Sequence, residues 1–199
     1  MSDQDNVSKV QRLVGTAVLA AIVIVLQVFA SGIRIGPFTP TLSLIPIIIG
    51  AIVYGPVTGA ILGAVFGIIV VIAVISGAEP FSLLMFNQSP VFTVLTCIVK
   101  GAAAGYLSGL VYRLLKKKKI VNIVSASVVA PVANTGIFCI AMLTVFRNLW
   151  VGDTGSQSPI VFLLVTFVGV NFLFELAFDI VLIPVIMRII SAIRKTSVK

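Results

Sequence analysis

The sequence predicts an all-α integral membrane protein of six transmembrane helices, and three observations carry that prediction. Of its 199 residues, 59 % are hydrophobic and only 10 % are charged, with a mean hydropathy of +1.22. A soluble domain carries about a quarter of its residues as Asp, Glu, Lys and Arg, so the shortfall leaves most side chains facing lipid or one another. The apolar residues also fall in stretches long enough to span a hydrocarbon core of about 30 Å at about 1.5 Å per residue. Finally, the basic residues gather where such stretches end.

The six spans form a single membrane domain over residues 1–199. The first covers 9–30; the segment before it carries Asp3 and Asp5 and lacks the small-residue cleavage site of a secretory signal, which predicts a retained helix. A polar linker with Gly32, Arg34, Pro37 and Pro40 leads to a short second span, 42–54, closed by Gly55-Pro56. The third runs 57–76. Residues 77–90, with Glu79, Pro80, Asn87 and Gln88, read as a loop before the fourth span, 91–112, which meets the lysine run 116–119. The fifth covers 120–146, and the polar stretch 147–159 separates it from the sixth, 160–193, interrupted by Pro184.

Charge orients this arrangement. Lys9, Arg12, Arg113, Lys116 to Lys119, Arg188, Arg194, Lys195 and Lys199 share one side, Arg34 and Arg147 lie on the other, and Lys100 falls within a span. The positive-inside rule then puts both termini in the cytoplasm of a multi-pass protein of the cell (plasma) membrane. The outward loops 31–41, 77–90 and 147–159 are the longer and more Pro-, Gly- and Asn-rich ones. The net charge of +8 therefore reads as topology, with the lipid bilayer and no nucleic acid as its partner.

Several chemistries are excluded. The chain has no histidine, which removes imidazole bases, Ser/His or Cys/His nucleophilic pairs and the common His-containing metal sites. No catalytic and no metal-ligating residues are assigned. Cys97 and Cys139 lie inside apolar segments as small packing residues. No Gly-rich loop ends in Gly-Lys-Ser/Thr, so the chain has no ATPase site of its own.

Small residues recur four apart, on one helical face: Ala17 and Ala21; Gly55, Gly59, Gly63 and Gly67; Gly101, Gly105 and Gly109. Such ladders let backbones approach, either in packing within the chain or against another subunit. Polar residues within spans say more, because an unsatisfied amide or charge in hydrocarbon costs a few kcal/mol, of order 3. Asn134 and Thr135 lie in the fifth span; Asn171, Glu175 and Asp179 form one stripe of the sixth. That stripe suits a structural network with Lys100 or Asn134, contact with a ligand, or proton coupling. Lys100 either neutralises Glu175 or Asp179, touches substrate, or snorkels to an interface. Asn87 and Gln88 offer donors and acceptors at the outer end of the fourth span, for capping or binding, and Trp150 suits an interfacial anchor or a lid.

The whole pattern resembles the substrate-binding S component of an energy-coupling factor (ECF) vitamin transporter. The likeness covers nearly the full chain: six spans, a short second one, inward termini and the Ala17-xxx-Ala21 pair. Leu44-Ile45-Pro46 through Ile52-Val53-Tyr54-Gly55-Pro56, Lys100-Gly101, Pro131-Val132-Ala133-Asn134-Thr135-Gly136 and Gly169-Val170-Asn171-Phe172-Leu173-Phe174-Glu175-Leu176 are similar to the pantothenate-type subgroup. The resemblance implies an ECF S-component bundle and a vitamin captured near the outer face, pantothenate being the named candidate. It implies release by toppling of the subunit, and docking of Ala17 and Ala21 on an EcfT-like transmembrane coupling subunit. ATP would be hydrolysed by two separate cytoplasmic ATPases, with no cofactor in this chain.

Polarity and depth nominate Asn87, Gln88, Lys100, Asn134, Thr135, Asn171 and Glu175 as substrate-binding residues. Glu175 repels a carboxylate unless it is protonated or paired with Lys100, so neutral ligands such as riboflavin or a hydroxymethylpyrimidine stay open beside folate and cobalamin. From other classes, a stand-alone secondary transporter would carry a coupling proton on Glu175 or Asp179, and an intramembrane enzyme would need a catalytic cluster for which these two carboxylates are the only in-span pair.

Overall fold

The computed structural model describes residues 9–31, 41–115, 118–151 and 172–196, and every regular element among them is a helix. They are α1 (Lys9–Ser31), α2 (Leu44–Val53), α3 (Pro56–Ile75), α4 (Pro80–Gln88), α5 (Pro90–Leu114), α6 (Lys119–Thr144), α7 (Asn148–Val151), α8 (Leu173–Val181) and α9 (Ile183–Thr196). Among the described residues α1, α3, α5 and α6 are long and apolar enough to cross a membrane, and the bent pair α8 and α9 adds a fifth span if counted as one.

The centre of the bundle is the shortest apolar segment. At 10 residues, α2 rises only about 15 Å, half a hydrocarbon core. Every residue from Leu44 to Val53 except Ile45 is buried. A helix apolar all round must be enclosed on all sides, and α2 packs against α1, α3, α5, α6 and α9. Leu19 and Val23 of α1, Leu62 and Phe66 of α3, Ile123 of α6, and Ile186 and Ile190 of α9 close the core around Ile47, Ile48 and Ile52.

The glycine ladders explain the tightest contact, between the antiparallel α3 and α5. A Cβ added at Gly63 would collide with the carbonyl oxygen of Gly101, one at Gly59 with that of Gly105, and one at Gly67 would lie 2.5 Å from that of Cys97. Backbone thus meets backbone, with dispersion and Cα–H···O contacts in place of side chains. The two longest ladders serve packing within the chain rather than docking of another subunit.

α1 divides into two faces. Leu19, Val23, Gln27 and Ala30 turn inward, whereas Val10, Leu13, Val14, Val18, Val25, Val28 and Phe29 are exposed. Its inward face carries two polar clamps: Arg12 donates to Thr58 Oγ1 at 3.1 Å through Nη2, and Ser43 Oγ donates to Gln27 Oε1 at 3.0 Å. Arg12 meets the start of α3, and Arg113 at the end of α5 lies against Gly55. Basic residues of α1 and α5 therefore collect at one end of the bundle. Gly55 adopts φ 105°, a conformation that favours glycine, to turn α2 into α3 without an intervening loop.

One expectation is corrected. Residues 77–90, expected as a loop, contain α4: Pro80 opens it at a first-turn position, and Phe81 and Met85, one turn apart, pack with Phe138, Met142 and Phe146 in a second core at the bundle end opposite Arg12. The sixth span is interrupted near Pro184 where it is described. α8 and α9 are bent by 51° around Leu182, because Pro184 offers no N–H to the carbonyl of Ile180 and its ring crowds that carbonyl.

Candidate ligand-binding site

The polar residues of α6 and α8 meet at the middle of the bundle. Position 134 lies about four turns into α6 and position 175 at the first turn of α8, and the packing of these helices turns the two side chains toward one another. Asn134 Nδ2 donates to Glu175 Oε1 at 3.4 Å, a long bond between residues that are 4 % and 3 % exposed. One turn on, Asp179 is 1 % exposed on the same face of α8. Asp179, Lys100 and Thr41 are the charged and polar neighbours of Glu175.

These groups are not satisfied by one another. Glu175 Oε2, Asp179 Oδ2, Asn134 Oδ1 and Ser127 Oγ are buried and have no hydrogen-bond partner. Bundle interiors ordinarily pair such atoms, because each orphan carries a desolvation cost of about 1–3 kcal/mol. α6 also carries a proline within its length. Pro131, inside the helix, has no N–H for the carbonyl of Ser127, the residue whose hydroxyl is without a partner.

Lys100 does not neutralise the carboxylates by direct contact. Its ammonium lies 5.4 Å from the ring centroid of Phe138 and 6.0 Å from that of Phe66, leaving Glu175 Oε2 and Asp179 Oδ2 without its donors. The quadrupoles of two phenyl faces hold the charge instead. Phe138 in turn meets Phe81 edge to face, with centroids 6.5 Å apart. Aromatic surface, one cation and two carboxylates thus border a common polar centre.

The other nominated residues stand elsewhere. Asn87 and Gln88 are exposed at the end of α4, and no hydrogen bond joins them to Asn134 or Glu175. Thr135 is half-buried beside Asn134. Arg147 is exposed after α6. Asn171 and Arg34 lie outside the described residues, as does the side chain of Trp150. Ala17 and Ala21 are both exposed on the outer face of α1, in line with Val10, Val14, Ile24 and Val28.

Sequence reasoning missed Thr41, Ser127, Phe66 and Phe138. Thr41 sits in a linker, and the phenylalanines are indistinguishable by spacing from ordinary core residues. Ser127 carried a detectable signal: a hydroxyl in an apolar span four residues before a proline.

Fold and site together define a polytopic helical membrane protein, with an apolar half sealed by backbone packing and a buried polar centre between α5, α6 and α8. The family model of the ECF transporter, substrate-specific component, matches residues 11–187, and the chain belongs to that family. Its members are transport subunits rather than enzymes. No curated protein and no solved structure gives a significant match.

Proposed function

We propose that this chain captures a small water-soluble vitamin or vitamin precursor at the outer face of the cell membrane and delivers it to the cytoplasm with an ATP-driven coupling module. The observation that carries this reading is the set of buried, unpartnered acceptors on Asn134, Glu175 and Asp179, within a chain of the substrate-specific family. Polar groups kept unpaired at depth suit a centre completed by a polar ligand. Pantothenate is the candidate that the subgroup resemblance names; riboflavin, folate, a hydroxymethylpyrimidine and cobalamin complete the panel.

In this reading both termini are cytoplasmic, and ATP is spent on two partner ATPases, with no cofactor in this chain. The outer stripe of α1 docks an EcfT-like coupling subunit. Exposure of Ala17 and Ala21, flanked by exposed Val14 and Ile24, supports that role, since a small-residue groove lets a second helix approach closely. A second reading, a stand-alone proton-coupled transporter, is favoured by the same two buried carboxylates, either of which suits a proton carrier.

Purification of the chain alone in detergent, mass spectrometry of co-purifying small molecules and titration with the vitamin panel test the proposal. A stoichiometric vitamin signal is expected, with uptake by liposomes only when the coupling subunit and ATPases are present. Proton-driven uptake by the chain alone, with no vitamin retained, would establish the second reading instead.

A further inference from the structure

The polar centre is one-sided in its chemistry. Asn134 Nδ2 donates to Glu175 Oε1, and this leaves Asn134 Oδ1 without a partner. Glu175 Oε2 and Asp179 Oδ2 are acceptors too, and Ser127 Oγ is able to act as one. The nearby cation is already held over two phenyl rings. Beside the donors of Asn134 and Thr41 at Glu175, the atoms left without a partner are all oxygens able to accept.

We infer that the ligand presents at least two N–H donors from a neutral or cationic nitrogen group, such as an amino-heterocycle or amidine, to Glu175, Asn134 and Asp179, with no carboxylate at that end. This rests on the ligand-binding reading above and narrows it. An amidine-like N–H pair matches a carboxylate bidentately and has a further proton for the Asn134 carbonyl. Two carboxylates against one lysine leave the centre a net negative charge when both are ionised, which favours a positive group and repels a carboxylate. A vitamin such as pantothenate would have to keep its carboxylate away from this centre.

The test uses the whole chain in detergent, with hydroxymethylpyrimidine and thiamine as donor-bearing probes and pantothenate as the carboxylate-ended one. Calorimetric titration of the wild type and of Glu175→Gln and Asp179→Asn is paired with thermal melting of the ligand-free proteins. Donor-bearing probes should bind the wild type at least about tenfold more tightly than pantothenate, and Glu175→Gln should weaken them by at least about tenfold. The ligand-free variants should melt at or above the wild-type temperature, because each replaces a buried carboxyl group that has an unpartnered oxygen.

Unchanged binding of the donor-bearing probes to Glu175→Gln would overturn the inference, since Gln reproduces a protonated, donating Glu175 but not an ionised acceptor. A marked fall in ligand-free melting temperature would also overturn it, by assigning Glu175 to a structural network. Tight binding of pantothenate alone would defeat the donor-bearing ligand while leaving the vitamin-binding function standing. Binding of no panel member, with uptake that needs no ATPase, would defeat both.

Discussion

The α3–α5 seam and the α6–α8 centre satisfy their polar groups in opposite ways. In the seam, glycines bring carbonyls of one helix against the backbone of the next, and every group that a Cβ would displace already has a neighbour. In the centre, helix α6 contains a proline, the next span is broken after Leu182, and four buried polar atoms between Ser127 and Asp179 have no partner. The difference teaches where specificity is kept. A seam made of backbone contacts has no room for a ligand and sets rigidity, whereas a centre of unpaired side chains accepts less stability in return for a place where something else binds.

Substitutions that move one region and spare the other are the way to break this contrast. The largest effect is expected from Gly63→Val, which would drive a side chain into the Gly101 carbonyl and separate α3 from α5. A loss of about 3 kcal/mol of stability or more is expected, seen as a lower melting temperature and aggregation on size-exclusion chromatography. A tolerated valine would mean that the seam yields without loss, and the contrast would fail. Next comes the paired change Ala17→Leu and Ala21→Leu on the exposed face of α1. Vitamin binding by the isolated chain should persist while ATP-coupled uptake in proteoliposomes disappears, because bulky residues prevent close helix approach. Equal loss of both activities would remove α1 from a docking role.

At the polar centre, Asn134→Ala should weaken ligand binding by about tenfold, the value of one hydrogen bond of about 1.4 kcal/mol. The ligand-free melting temperature should stay nearly unchanged, because the bond to Glu175 is long at 3.4 Å. A large thermal loss with intact binding would make Asn134 a structural residue. The smallest effect is expected at the α1–α2 clamp. Gln27→Leu removes the acceptor of Ser43, but Ser43 Oγ also reaches the Val23 carbonyl at 3.4 Å. A loss of about 0.6 kcal/mol is expected in a melting measurement, with binding unaffected.

Much of the helical layout was legible along the chain. The long apolar stretches became α1, α3, α5 and α6, and the short second segment was visible from Gly55-Pro56. α4 was not legible, because a nine-residue apolar helix between prolines has the composition of a loop until Phe81 and Met85 find partners on α6. Of the site, the buried positions of Asn134, Glu175 and Asp179 followed from the cost of polar groups at depth. The role of Lys100 did not, since acid pairing and aromatic contact both suit an ammonium within a span, and only the positions of Phe66 and Phe138 distinguish them.

The sequence by itself therefore determined that this is a membrane protein, where most of its long helices run, and which few polar residues lie at depth. Those properties depend on hydropathy and helical period, which act along one segment at a time. Only the tertiary structure decided that the glycines of α3 and α5 close on each other, that Ala17 and Ala21 stay uncovered, and that acceptors of α6 and α8 are left buried without partners. These are relations between segments distant in the chain, and the register and rotation of packed helices fix them.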